Sequence, residues 1–435
     1  MSLSSRFSCL DGHDPDALSV EQARRFIRSQ LRPLSMCERV ALRSALGRVL
    51  ARDLIAPCNV PAAANSAMDG YALRHADLEA TGATSLRVVG TAMAGRACAD
   101  ELAAGECVRI MTGAVPPAGC DTVVMQEVVR VEGERVVIPE GQLRGQNIRL
   151  AGEDLAVGRP ALRAGRLIGP AELGLMASLG FAELSVFRRL RVAFLSTGDE
   201  LCSIGTPLAD GEVYDSNRYT LFGMLSRIGC ELLDLGVVRD DPVLLAETFR
   251  QAAAAADVVI SSGGVSVGEA DFVKPLMAEL GEVLFWKIAM KPGRPLAFGR
   301  IAAGGGHGGD GGGDGGDGGA WLFGLPGNPV AVMVTFYQFV REALHLLMGA
   351  DPPPVVPLLP AVCACKLRKV PGRSEFQRGI LSQTDGGWRV RPAAAQGSGI
   401  LRSMAEANCF IVLGHERGPV AAGDVVEVQL FDGLV

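Results

Sequence analysis

The chain has 435 residues, a formal net charge of −6 and 48% apolar residues. That balance fits a globular protein of about three domains at ~150 residues each. The acidic charge excludes a surface-wide nucleic-acid binder and leaves room only for a local basic site. No run reaches the ~18 consecutive apolar residues of a membrane helix. The segment Met1–Asp14 lacks the apolar core of a secretory signal, so a cytoplasmic protein with no membrane or nucleic-acid partner is expected. Eleven cysteines, scattered and without a CxxC pair, read as small hydrophobes in a reducing compartment rather than as a disulfide or zinc framework.

In chain order, Ser19 and Gln22 have the spacing of a capping box that opens an N-terminal helix. From about Asp53 to Leu150 short alternating runs predict mostly β structure. There the Asp69-Gly70 step reads as a hairpin turn, and Thr112, Arg149 and Asp154 read as turn or cap residues. From Leu190 to Gly349 strands and helices alternate: strands begin at Arg191, Glu231 and Asp257, and helices cover Ser216–Gly229, Pro242–Ala255, Asp271–Leu280 and Asn328–Met348. This pattern predicts a parallel, three-layer α/β domain. The tract 302–320 holds twelve glycines and reads as a disordered, solvated loop lengthening a hairpin between two apolar strands. Shielding of the nearby basic turn is the lesser alternative for it. Beyond Pro352–Pro354, short strands predict a small β-barrel or sandwich.

Ligands of open parallel sheets bind beyond the carboxyl ends of the strands. One such end is Ser196-Thr197-Gly198-Asp199-Glu200, where a hydroxyl and an amide can meet an anion and the carboxylates can hold a cation. Another is Ser262-Gly263-Gly264-Val265-Ser266, followed by Glu269 and Asp271. Its glycines let backbone approach a phosphate, and its carboxylates suit a divalent ion placed between themselves and phosphate oxygens, as Mg²⁺ is usually held. Lys287, Lys291 and Arg294 put three cations within eight residues, interrupted by proline and glycine. That is a rigid oxyanion-binding turn, with Lys287, Ala289 and Lys291 expected on one strand face. The turn Gly324-Leu-Pro326-Gly-Asn328-Pro329 opens a helix whose free amides suit the same anion. No GxxxxGK[ST] phosphate loop is present.

Taken in order, Asn65-Ser-Ala-Met-Asp69-Gly-Tyr-Ala, Met111-Thr112-Gly-Ala, Ser196-Thr-Gly-Asp-Glu-Leu, Ser262-Gly-Gly-Val-Ser-Val-Gly-Glu-Ala-Asp271, Lys287-x-x-x-Lys-Pro-Gly-Arg-Pro and Gly324-Leu-Pro-Gly-Asn-Pro closely resemble the MoeA family. These are the molybdopterin molybdenumtransferases, related to the E domain of gephyrin. The resemblance runs from about residue 16 to the C-terminus.

It implies a multidomain α/β plus β protein. An elongated linking domain would comprise 16–52 and 150–188, an inserted β-rich domain 53–149, a molybdopterin-binding α/β domain 189–350 and a C-terminal β-barrel 351–435. It also implies a homodimer with its active site at the protomer interface. The implied reaction inserts molybdate into the dithiolene of adenylylated molybdopterin, with Mg²⁺-dependent release of AMP. Glu200 and Asp271 would then hold the metal. Lys287, Lys291 and Arg294 would hold oxyanions, molybdate among them. Asp69 and Thr112 would reach in from the other protomer. Arg149, Asp154 and Asp240 match family positions, as do Arg373 and Ser398 for anion contact, and Asp240 and Asp271 are the acid–base candidates. Molybdopterin adenylyltransferase and recipient molybdoenzymes are the implied partners. The adenylylating enzyme itself and a docking scaffold are the rival readings. The extra β domains argue against the first, and the retained Glu200 and Asp271 argue against the second.

Overall fold

The computed structural model describes residues 17–96, 101–264, 273–303, 319–393 and 395–433. The helix Val20–Gln30 opens with the expected capping box: Gln22 donates its amide N–H to Ser19 Oγ, and Ser19 donates its own to Gln22 Oε1. Its buried residues Val20, Ala23, Phe26 and Ile27 recur at helical spacing. Phe26 stands edge-on to Trp286, with ring centroids 5.4 Å apart. The helix therefore packs on the α/β unit and not on the β-rich residues that follow it in sequence.

Those residues form a six-stranded sheet in the order Thr122–Met125, Gly70–Leu73, Glu106–Ile110, Thr84–Ala92, Arg135–Ile138, Arg130–Glu132. Both faces are covered: Tyr71, Leu73 and Val124 enter one core, while Ala72, Val108 and Val123 enter another. This is the two-residue period of a strand. Chain on either side of the sheet pairs with itself, Cys37–Ala41 with Glu183–Phe187 and Leu54–Ile55 with Pro160–Leu162, so the sheet is an insertion into that pairing.

The central sheet has the order Glu231–Val238, Arg191–Thr197, Val258–Ser262, Gly319–Leu325, Pro295–Ala302, Gly281–Lys287. The first four strands are mutually parallel, and Pro295–Ala302 is antiparallel to both of its neighbours. One strand thus runs against the other five, giving a parallel-rich sheet with the hairpin expected around the glycine tract. Val192, Phe194 and Ile260 face a core shared with helices Val20–Gln30, Asn217–Ile228 and the helical run Pro329–Leu347. Ala193, Leu195 and Val259 face the opposite core, with Leu245, Phe249, Leu276 and Met277. The result is the expected three-layer arrangement.

The run Pro329–Leu347 is long and apolar enough to cross a membrane by composition, but its apolar window is 78% buried inside the protein. Among the described residues all nine cysteines are free. The C-terminal strands close into a five-stranded barrel, because Ser374–Thr384 pairs with both Gly387–Pro392 and Cys409–Leu413.

Two local expectations are corrected. Asp69-Gly70 is no hairpin turn: Asn65–Ser66 pairs with Ile148–Arg149, and Gly70 begins a strand of the large sheet. Nor do Lys287, Ala289 and Lys291 share one strand. The strand Gly281–Lys287 ends at Lys287, Ile288 bridges to Leu18, and Met290–Lys291 pairs with Ser374–Glu375 of the barrel. Tertiary partners on two sides break the alternation there.

Candidate active site

The carboxyl ends of five central strands lie along one edge of the sheet, in spatial order Val238, Thr197, Ser262, Leu325 and, beyond the reversed strand, Lys287. The reversed strand starts at this same edge, with Pro295 opposite Lys287. Loops leaving the edge therefore carry Asp240, then Gly198–Glu200, then Gly263–Gly264, then Pro326–Pro329, and last the cations Arg294, Lys287 and Lys291.

The acidic end is tied together by backbone. Asp240 donates its amide N–H to Asp199 Oδ1 at 3.3 Å. Partial burial of the Asp240 carboxyl, then repulsion from Asp199 and Glu200, raises its pKa. Glu200 folds over Gly198, where a Cβ would fall 2.6 Å from Glu200 Oε2. Among the described residues no three metal-ligating side chains converge. Mg²⁺ ordinarily takes one or two carboxylates plus water and substrate phosphates, and a rim of mutually repelling carboxylates fits that mode. Asp271 and Ser266 lie outside the described residues.

In the middle, Gly263 has φ +93°, and a Cβ there would meet the Thr197 carbonyl oxygen at 2.5 Å. Only glycine lets the two strand ends approach so closely. Ser196 and Ser262 are 0% and 1% exposed, and their hydroxyls are spent inward. Ser196 Oγ donates to Asp215 Oδ1 at 3.0 Å, and Ser262 Oγ accepts from Asn217 Nδ2 at 2.8 Å. What these positions offer a ligand is therefore loop backbone rather than hydroxyl. Thr197 Oγ1 is buried and has no hydrogen-bond partner, a donor and acceptor still to be satisfied.

Pro326 is buried, whereas Gly327 and Asn328 are exposed where the long helix begins at Pro329. The Asn328 side chain makes no capping hydrogen bond. One of the free helix amides, that of Val330, donates to the carbonyl of Ser398 at 3.0 Å, so the barrel end of the chain docks onto this turn.

Lys287, Lys291 and Arg294 are all exposed, and none has an acid partner among the described residues. Lys291 lies opposite Glu375 in the strand pairing, but the Glu375 carboxylate accepts from Arg373 Nε and Gln377 Nε2 at 3.0 Å each. The turn is a concentration of uncompensated positive charge, with Arg373 beside it.

Asp69, Thr112 and Arg149 gather elsewhere, on the β-rich unit. Thr112 donates both its amide N–H and its hydroxyl to Asp69 Oδ1, each at 2.7 Å, and the backbone bond is the main reason the Asp69 carboxyl is held below its ordinary pKa. Arg149 pairs across strands with Asn65. Asp154 is exposed, with its amide N–H on the Val60 carbonyl. No hydrogen bond or ion pair among the described residues joins this group to the sheet edge.

Sequence reasoning passed over three buried polar residues. Asp215 precedes the predicted helix and Asn217 lies in its first turn, and they bind the inward hydroxyls just described. Arg378 is 1% exposed and has no carboxylate partner among the described residues. Its guanidinium donates to the carbonyls of Ala395 and Gly397 and to Ser403 Oγ, holding the loop that carries Ser398. Burial pushes its pKa down to about 10. The only sequence signal for it is an arginine flanked by the apolar residues Phe376, Ile380 and Leu381.

Three family models match successive stretches: the MoeA N-terminal region (domain I and II) over residues 18–180, the probable molybdopterin binding domain over 193–346, and the MoeA C-terminal region (domain IV) over 360–431. A molybdopterin molybdenumtransferase of Haemophilus influenzae is 42% identical over 96% of this chain and 100% of its own length. One from Nostoc is 36% identical over 90% of this chain and 88% of its own. Among solved structures, the molybdopterin biosynthesis moeA protein of Pyrococcus horikoshii OT3 superposes with a TM-score of 0.79 at 27% identity, over 96% of this chain and 100% of that one.

Proposed function

The chain belongs to the MoeA family, the molybdopterin molybdenumtransferases, and from that premise we propose how its own residues carry out the transfer. It is a transferase of molybdenum cofactor biosynthesis. The reaction we assign is insertion of molybdate into the dithiolene of adenylylated molybdopterin, with release of AMP.

The observation that carries this reading is the order of charge along the sheet edge. Adjacent strands lie about 4.8 Å apart, so the Glu200 loop and Lys287, on strands four places apart, are separated by about 20 Å before twist. Only an extended ligand reaches both ends. A pyrophosphate-bridged substrate lays its phosphates over the Gly263–Gly264 and Gly327–Asn328 backbone. The cationic turn then receives the molybdate dianion, and Arg373 and Ser398 border it from the barrel.

Glu200 and Asp271 are the residues we assign to Mg²⁺, which would supply charge neutralisation at the phosphoanhydride. Asp240, whose charged form is disfavoured, is suited to hold a proton near the cleaved bond. Asp69, Thr112, Arg149 and Asp154 complete the site from a second copy of the chain, which makes the protein a homodimer. A cytoplasmic location, supply of substrate by a molybdopterin adenylyltransferase and delivery to molybdoenzymes complete the reading.

The test is AMP release from adenylylated molybdopterin with Mg²⁺, with and without molybdate, for the wild type, Glu200→Gln and Lys291→Ala. Molybdate-dependent release in the wild type that both variants lose supports the reading. Release that ignores molybdate, or variants as active as the wild type, would overturn it.

A further inference from the structure

We propose that Asn217 is a positioning residue that sets the spacing of the two glycine loops on which the substrate phosphates rest. The inference rests on the reading of those loops given above. Asn217 opens the helix Asn217–Ile228 and is 8% exposed. Its Nδ2 donates to Ser262 Oγ at 2.8 Å and to the carbonyl of Gly327 at 2.6 Å. One amide group therefore grips the end of the strand Val258–Ser262 and the turn that starts the long helix. The Gly327 carbonyl only accepts, so the amide orientation is fixed by its partner.

The grip is reinforced on both sides. Gly263 donates its N–H to the Leu325 carbonyl at 3.1 Å. Asp215, 1% exposed, takes the Ser196 hydroxyl and the Arg218 backbone N–H on Oδ1. Arg218 in turn donates to both oxygens of Asp234 at 3.1 Å. The segment from Asp215 to Arg218 thus ties together four strands of the sheet at the edge that carries the site. Asn217 is the member of that segment that spans two loops at once, and it touches no reacting atom in this reading.

Loss of its donors leaves the Gly327 carbonyl without that bond and frees the two loops to move apart. A ligand held by both loops should then bind less tightly, with less effect on the step after binding.

The experiment compares Asn217→Ala, Asn217→Asp and Asn217→Ser with the wild type. Asn217→Asp keeps the shape and sets an acceptor against the Gly327 carbonyl. Asn217→Ser keeps one donor and is the milder variant should the others fold poorly. Two readouts are taken: amide hydrogen exchange in peptides covering 258–264 and 325–332, and KM and kcat for adenylylated molybdopterin from AMP release.

Exchange at both loops is expected to quicken about tenfold in Asn217→Ala and Asn217→Asp, with the strand Arg191–Thr197 unchanged. KM should rise about tenfold while kcat changes less than about threefold, and Asn217→Ser should fall between them and the wild type. Unchanged exchange in all three variants would overturn the proposal. So would a wild-type Asn217→Asp beside an impaired Asn217→Ala, since that pattern means shape filling. A wild type that releases no AMP in response to molybdate would overturn the transferase reading instead, and the exchange rates decide the spacing role whatever the wild type turns over.

Discussion

Gly263 and Asp240, both at the sheet edge, act on stability in opposite directions. An alanine at 263 would sit at φ +93° with its Cβ 2.5 Å from the Thr197 carbonyl oxygen. Gly263→Ala should therefore cost about 3 kcal/mol, read as a lowered denaturant midpoint at unchanged m. Asp240 behaves oppositely. Its carboxyl pKa is raised in the folded protein, so the folded state holds a proton that the unfolded state has already lost. Stability contributed at low pH then declines as pH rises from the unfolded value through the folded one. Asp240→Asn should raise Tm at neutral pH, and the gain should vanish below about pH 4, where both states are protonated; a gain that persists there would contradict the repulsion. At this scale the sequence was legible for the close backbone approach at Gly263, because a glycine's freedom is local. It was silent on Asp215, Asn217 and Arg378, because the partners of a buried polar side chain are set by which distant loops the fold brings beside it.

Among the elements, the basic turn and the long helix make separable predictions. Lys287, Lys291 and Arg294 are exposed and carry no ion pair among the described residues, so neutralising any one should leave Tm within about 1 °C of the wild type. Lys291→Ala should nevertheless raise the molybdate concentration needed for half-maximal AMP release at least about tenfold. In the helical run Pro329–Leu347, burial and Arg341 hold the His345 pKa down, from 6.5 to about 4. The unfolded chain protonates first, so stability is intact above pH 6.5 and falls by about 3 kcal/mol as pH drops toward 4. His345→Phe should flatten that part of the stability–pH curve, which urea titrations at several pH values would show. Strands and helices were readable here because apolar period follows burial. The stretch Lys287–Lys291 misled because two sheets share it, and alternation carries no mark of where a strand changes partners.

Over the whole molecule the assigned residues fall into two groups that no hydrogen bond or ion pair among the described residues connects. If a second copy completes each site, Asp69→Asn and Glu200→Gln remove residues from opposite sides of the same interface. Unfolded together and refolded, two inactive variants should regain about a quarter of wild-type activity, since half the dimers are mixed and each mixed dimer has one intact site. No recovery would place both groups in one protomer's site. The division into β-rich, α/β and barrel parts was legible from composition shifts, but the assembly was not, since it depends on surfaces that no local pattern encodes. The hairpin that brackets the glycine-rich tract has a last consequence. Ala302 pairs with Gly319 at the far end of strands whose other end reaches the site, seven residues or about 20 Å away. Whatever chain joins them is rooted at the opposite end of the central sheet from the candidate site, and doubling its length adds only ~0.6 kcal/mol of closure entropy. That makes the hairpin a tolerant port: a fluorophore tag or a surface anchor could be spliced in there to tether the protein with the candidate-site edge of the sheet turned outward.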